Sequence, residues 1–243
     1  MGLLKKLFGT PEPPRPFCSA VVVAAGSARR MGGIDKILCP LGSVPILLHA
    51  LAPLQASDLV DEIVIVTRED LMVPIGNLCS QKGMTKVRRL VKGGESRTDS
   101  VLAGLGETDP KADLIAIHDG ARPFLTEPVL EETIAKARAR GAAAPAIPLK
   151  DTVKRVQDGT AVETLDRDSL AAIQTPQIFE AGLIKGALHK ARQDGVVLTD
   201  DCAAVERLGF PVCLTQGSEE NIKITTPSDL VLGELILAHR RGF

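Results

Sequence analysis

The sequence predicts a doubly wound α/β fold built on one mostly parallel sheet. Three observations carry that prediction. Apolar runs of strand length recur along the chain, helical patterns separate them, and the first run breaks at a glycine in "VVVAAGSARRMGGIDK" (21–36). Strands that are apolar throughout are covered on both faces, as happens when helices flank a parallel sheet. The 243 residues suffice for one large domain of this kind.

After the first run come the strand patterns "EIVIVT" (62–67), "VRRLVKG" (87–93), "DLIAIHDG" (113–120), "AAAPAIPL" (142–149) and "PVCLTQG" (211–217). Helices are expected over 96–107, 127–141, 179–195 and 226–241. The 127–141 helix has Thr126 as cap, Pro128 in its first turn and Gly141 beyond its end. The 226–241 helix has Thr226 as cap and Pro227 at its first helical position. One segment breaks the alternation. "DTVKRVQDGTAVETLDR" (151–167) is two short polar β-runs around Asp158-Gly159, the strongest short-range hairpin signal. An isolated hairpin is marginal in water, so this one must lean on a second subunit or on its own domain. Residues 1–16 read as a flexible tail ended by prolines, and 17–243 as one domain.

Composition narrows the partners. A net charge of −1 gives no global basic field, and the absence of Trp and Tyr argues against aromatic stacking platforms for nucleic acid. Any anion must therefore be met by local cations. Five scattered cysteines without a C-x-x-C read as free thiols in a reducing compartment, so a cytoplasmic location is expected. No apolar run approaches membrane-spanning length, and the leader is too weakly apolar for a signal peptide.

In an α/β sheet of this kind ligands bind beyond the carboxyl ends of the strands. The first such end carries Arg29, Arg30 and Lys36 on a small-residue loop. That loop fits neither the dinucleotide G-x-G-x-x-G nor the P-loop pattern. Forked arginines with a point-charge lysine nevertheless suit a polyphosphate, and small residues leave backbone N–H groups free to cradle it. Other strand ends are polar as well. Gly93 and Gly94 precede Glu95, Ser96, Arg97 and Ser100; His118 and Asp119 precede Arg122; Lys223 sits in a short β-like run where an inward-facing cation needs an anionic partner.

The motifs "AAGSARRM…DK", "GGESRTDSVLAGL", "HDGARP", "KDTVKR", "DR…QTPQ", "LTDD" and "NIKIT", in this order over about residues 17 to 238, resemble the 2-C-methyl-D-erythritol 4-phosphate cytidylyltransferases. The resemblance implies a Rossmann-like sheet of the nucleotidyltransferase type with a protruding β-hairpin arm over about 151–175. It implies transfer of CMP from CTP to the methylerythritol phosphate, with release of pyrophosphate. Relatives that use ribitol 5-phosphate share most of these motifs, and a catalytically silent CTP-binding protein is the alternative from another class. Positioning and electrostatic stabilisation suffice for this chemistry, because a phosphate monoester is already a nucleophile.

Carried over by motif position, Arg30 and Lys36 bind the triphosphate and stabilise the transition state, and Lys223 favours approach of the nucleophile. Ala24, Ala25 and Gly26 line the nucleotide pocket, while Gly94, Glu95 and Ser100 read cytosine. Asp119 meets ribose and acceptor; Arg122 and Thr152 meet the acceptor. Arg167 and Thr175 are placed on or just after the arm, which in the family crosses to a neighbouring subunit and completes its acceptor site, so a homodimer is expected. Mg²⁺ is expected too, bound mainly by CTP phosphates, with no protein ligand assigned. The family usually has Pro-Lys-Gln around the loop lysine, where this chain has Asp35-Lys36-Ile37. That exchange removes a backbone constraint and sets a carboxylate beside the lysine.

Overall fold

The computed structural model describes residues 15–26 and 35–242. Its strands are β1 (Cys18–Ala24), β2 (Pro40–Leu41), β3 (Val44–Pro45), β4 (Glu62–Thr67), β5 (Val87–Lys92), β6 (Leu114–Asp119), β7 (Ala142–Pro148), β8 (Lys154–Gln157), β9 (Thr160–Thr164), β10 (Ala171–Ile173), β11 (Gln177–Glu180) and β12 (Cys213–Gln216). Its helices are α1 (Ile46–Ala56), α2 (Glu69–Gln81), α3 (Arg97–Gly106), α4 (Glu127–Arg140), α5 (Ala181–Gln193), α6 (Cys202–Glu206) and α7 (Pro227–Arg240).

The main sheet runs β10-β7-β11-β6-β1-β4-β5, with β12 on the other side of β7. The β1, β4, β5 and β6 pairings are parallel, as is β12 on β7. β10 and β11 are the exceptions, β10 antiparallel to β7 and β11 antiparallel to both β6 and β7. Successive residues of one strand serve opposite faces, which is what continuous apolar runs require. In β1, Ala20, Val22 and Ala24 join a core beneath α1, α2 and α4, while Val21 joins a second core beneath α3, α5 and α6. The doubly wound expectation holds.

β10 and β11 are not among the expected strands. Residues 171–180 lie antiparallel along β7 but are broken at Gln174, Thr175 and Pro176, where the Thr175–Pro176 bond is cis. The expected arm of about 151–175 is correspondingly shorter. Among the described residues β8 and β9 pair only with each other, and every one of their residues is exposed, whereas β10 has returned to the main sheet. Asp158 and Gly159 both have positive φ (48° and 77°), the turn this dipeptide favours.

Local signals at helix starts succeed unevenly. Thr226 forms a full capping box with Asp229 at the start of α7. Thr126 precedes α4 as expected but makes no side-chain cap bond, and Gly141 closes that helix in the left-handed conformation. Among the described residues, no helix is long and apolar enough to cross a membrane.

Candidate active site

Four strands finish level at one edge of the sheet. In register, Thr67 pairs with Ala24 and Val23 with Asp119, bringing the carboxyl ends of β4, β1 and β6 together. The Gly93 N–H donates to the Thr67 carbonyl (2.8 Å), and the Gly120 N–H to that of Val23 (2.9 Å), so the outgoing loops stay close. Ala24 is buried, Ala25 half-buried and Gly26 exposed, which places all three at this edge.

The loop after β5 fits tightly against it. A Cβ on Gly93 would lie 2.5 Å from the Ala25 Cβ, and one on Gly94 would lie 2.3 Å from the Asp99 Cβ. Neither site admits a side chain without moving backbone. Ser96 caps α3 in a capping box with Asp99. The buried Ser100 hydroxyl accepts the Gly94 N–H (3.1 Å) and donates to the Ser96 carbonyl (2.9 Å). Ser100, expected to read a base, thus spends its hydroxyl on shaping the loop, while Glu95 is exposed.

Asp119, at the end of β6, is the centre of a charge cluster. Lys223 Nζ lies 2.7 Å from its Oδ2, and the Arg97 and Arg122 guanidinium groups each approach to 3.9 Å. Burial pushes the Asp119 carboxyl up, but Lys223, Arg97 and Arg122 outweigh it and hold it below its ordinary value. Lys223 is exposed rather than inward-facing, and its anionic partner is the buried Asp119. Lys223 is presented by an extended loop, not a strand, tied to the turn after β6 by the Ile224 N–H on the Ala121 carbonyl (2.9 Å).

The cluster is built from distant segments. Arg97 grips the buried Asp201 through both guanidinium nitrogens, at 2.8 and 2.6 Å. Burial lowers the Arg97 pKa, yet Asp201 and then Asp119 reverse this and leave it above its ordinary value. Asp201 is in turn fixed by Gln177, whose Oε1 accepts the Asp201 and Cys202 N–H groups (2.9 and 3.1 Å). Arg122 donates to the Asn221 carbonyl (2.6 Å), while its buried Nε has no hydrogen-bond partner among the described residues. Arg97, Arg122 and Lys223 stand against Asp119 and Asp201, with Asp200 also acting on Arg97, so cations and carboxylates balance at three each. Lys223 is the most exposed of the three cations, at 40%, and is the one a guest anion meets first.

Thr175 departs from its expected place. It is buried in its own chain: its hydroxyl accepts the Asp119 N–H (3.0 Å) and lies 3.0 Å from His118 Nδ1. The break between β10 and β11 turns it inward here, so both of its hydroxyl roles are used within one subunit. Arg167 stands at the root of the hairpin, donating to the Lys150 carbonyl (2.7 Å) and 3.8 Å from Asp168, apart from the Asp119 cluster. Thr152 is exposed beside it. Lys36 lies in a turn after the first-strand loop, and Arg30 and Arg29 fall outside the described residues. The structure thus gathers Ala24, Ala25, Gly26, Gly94, Ser100, Asp119, Arg122, Thr175 and Lys223 at one edge, whereas the bonds of Arg167 run to Lys150 and Asp168 at the root of the hairpin.

Sequence reasoning assigned no role to Arg97 and Asp201, although both stand in its motifs, "GGESR" and "LTDD". Two adjacent carboxylates after a helix, at Asp200 and Asp201, were the available signal. His118 is fully buried, between Thr175 and the Arg122 carbonyl (3.3 Å from Nε2), with a partner at each ring nitrogen.

Comparison with known proteins meets this geometry. A family model for 2-C-methyl-D-erythritol 4-phosphate cytidylyltransferase matches residues 18–239. The protein of that name from Syntrophus aciditrophicus is 43% identical over 231 residues, covering 94% of this chain and 99% of its own. That from Halalkalibacterium halodurans is 42% identical over 223 residues, covering 91% and 97%. A solved 4-diphosphocytidyl-2C-methyl-D-erythritol synthase from Anaerococcus prevotii is similar with a TM-score of 0.83 at 32% identity, covering 91% of this chain and 96% of that one. The match runs from β1 into α7 and takes in every strand end described above. This chain belongs to the 2-C-methyl-D-erythritol 4-phosphate cytidylyltransferase family.

Proposed function

We propose that this protein transfers CMP from CTP to 2-C-methyl-D-erythritol 4-phosphate. An acceptor phosphate oxygen bonds to the α-phosphorus of CTP as the bond to the β-phosphate breaks, and pyrophosphate leaves. The observation that carries this reading is the cationic cluster around Asp119, which stands level with the glycine-shaped loop at the same sheet edge. One polyanion enters along the first-strand loop with Lys36 and Arg30, and the second meets Lys223 and Arg122. The Arg122 guanidinium is already largely desolvated, with its buried Nε 3.9 Å from Asp119, so an acceptor oxygen that meets this side chain gains a charge-assisted bond at little further cost.

Asp119 acts first on Lys223, holding its ammonium at the edge until substrate oxygens share it. Gly94, Glu95 and Ser100 bound the base pocket, with Ser100 acting through the loop it shapes. Mg²⁺ fits as a passenger on the triphosphate, where it neutralises phosphate charge. The one carboxylate at the cluster's centre is already engaged by Lys223, and Mg²⁺ characteristically keeps waters and uses substrate oxygens.

The working unit in this reading is a cytoplasmic homodimer. The hairpin β8–β9 is exposed throughout, including Val156 and Val162, and supports itself poorly alone. Arg167, at its root and outside its own chain's cluster, together with Thr152 then serves the neighbour's acceptor. The deciding assay is pyrophosphate release with Mg·CTP and each of methylerythritol phosphate and ribitol 5-phosphate. Turnover with the first at least tenfold above the second is expected. Preference for ribitol phosphate overturns the acceptor assignment, and no turnover with either overturns the enzyme.

A further inference from the structure

Asp35, beside the loop lysine Lys36, is not a loose carboxylate. Its Oδ2 lies 2.6 Å from an Arg68 guanidinium nitrogen. Arg68 follows β4 directly and is the N-cap residue of α2, and it is itself fixed by two bonds to Asp70, at 3.0 and 2.7 Å. The pair therefore ties the far end of the first-strand loop to the carboxyl end of a neighbouring strand.

The backbone around Asp35 is as firmly set. Its carbonyl accepts the Leu38 and Cys39 N–H groups (3.0 and 3.1 Å), closing a turn that contains Lys36. Beyond the lysine, the Ile37 carbonyl accepts the Leu47 N–H (2.9 Å), and the Ile37 side chain is buried among the core residues. Lys36 is thus held between an ion pair on one side and a core anchor on the other. Where a proline would restrict one dihedral, this chain fixes a whole turn.

Resting on the cytidylyltransferase reading, we propose that Arg68 is a positioning residue for CTP. It draws the Asp35 carboxylate onto its own guanidinium and braces the turn, so that this carboxylate opposes the triphosphate less. A half-buried ion pair that solvent still reaches adds little to folding stability. Its weight falls on binding, because an unneutralised carboxylate about 4 Å from a phosphate opposes it by roughly fivefold even at the dielectric of water.

The test is a charge cycle read in steady-state kinetics and in calorimetric titration of Mg·CTP. Arg68→Gln should raise the KM and Kd for CTP about fivefold or more. Asp35→Asn should stay within about twofold of wild type, and the double variant Asp35→Asn/Arg68→Gln should return to about that level. KM for methylerythritol phosphate should not move, and the Arg68→Gln defect should shrink at high salt. A role limited to folding would not be rescued by removing Asp35. Wild-type CTP affinity in Arg68→Gln, or a double variant as weak as Arg68→Gln, overturns the proposal. If Arg68→Gln does not fold, Arg68→Lys carries the test, because it keeps the charge and should keep CTP affinity within about twofold; a fivefold loss there overturns the proposal. Absent turnover in the wild type would instead refute the cytidylyltransferase reading, and titration with CTP would still score the pair.

Discussion

Acid should loosen the end of β6 through one residue, His118. Its Nε2 faces the Arg122 carbonyl, which can only accept, so Nε2 carries the proton and Nδ1 accepts from Thr175. The neutral ring satisfies both partners. A second proton would stand on Nδ1, against a Thr175 hydroxyl that must then turn while still receiving the Asp119 N–H. Burial is the chief cause that pushes the His118 pKa down, from 6.5 to about 4. Between those values the unfolded chain binds a proton that the native ring refuses. Stability therefore rises with pH through this window and is lost as pH falls towards 4. The slope is about 1.4 kcal/mol per pH unit, and over about 2.5 units the loss approaches about 3 kcal/mol. Asp119, held below its ordinary value, adds loss of the same sign in acid. The assay is urea unfolding at intervals from pH 7 to pH 4, at one protein concentration, for wild type and His118→Gln. Gln keeps a donor for the Arg122 carbonyl but does not titrate, so its slope should be smaller by one proton. Parallel slopes for the two proteins would refute the argument.

Three further outcomes follow from the site. Lys223→Ala should cost about 2–4 kcal/mol in kcat/KM, the scale of one lost preorganised charge. Because the side chain is 40% exposed, the same variant should lose less than about 1 kcal/mol in urea unfolding; a larger loss would make Lys223 structural first. Gly94→Ala must displace Asp99 and with it the Ser96 capping box, so KM for CTP should rise at least about tenfold and Tm should fall; unchanged KM would separate this loop from the base. Mixed dimers of Arg167→Ala and Lys36→Ala subunits, each inactive alone, should regain measurable pyrophosphate release; none, in dimers shown to be mixed, would put Arg167 to work within its own chain.

What could be read ahead of the structure follows the range of the interaction that fixes each feature. Positive φ at Asp158 and Gly159, the Thr226 capping box and the left-handed Gly141 are set by neighbours within four residues, and each stood in the sequence as a local pattern. Burial on both faces of β1, β4 and β6 was legible because apolar runs carry no periodicity to misread. β10 and β11 were hidden for the opposite reason. They are three and four residues long, divided by Gln174, Thr175 and Pro176, and held by a partner strand that begins 29 residues before β10. The site shows the same division. The glycine loops and lone cations advertise themselves as strand-end chemistry, but the bond that places Arg97 joins it to Asp201, 104 positions away. Nothing near Arg97 distinguishes it from a solvated first-turn residue. Arg97 matters more than its neighbours because Asp201 is buried, and a buried carboxylate without its guanidinium would cost about 3–5 kcal/mol. Replacing Arg97 by Met should accordingly destabilise the chain more than replacing Lys223. It should also free Asp119 from one of its three cations, which couples the integrity of the fold to the charge that a substrate phosphate would meet.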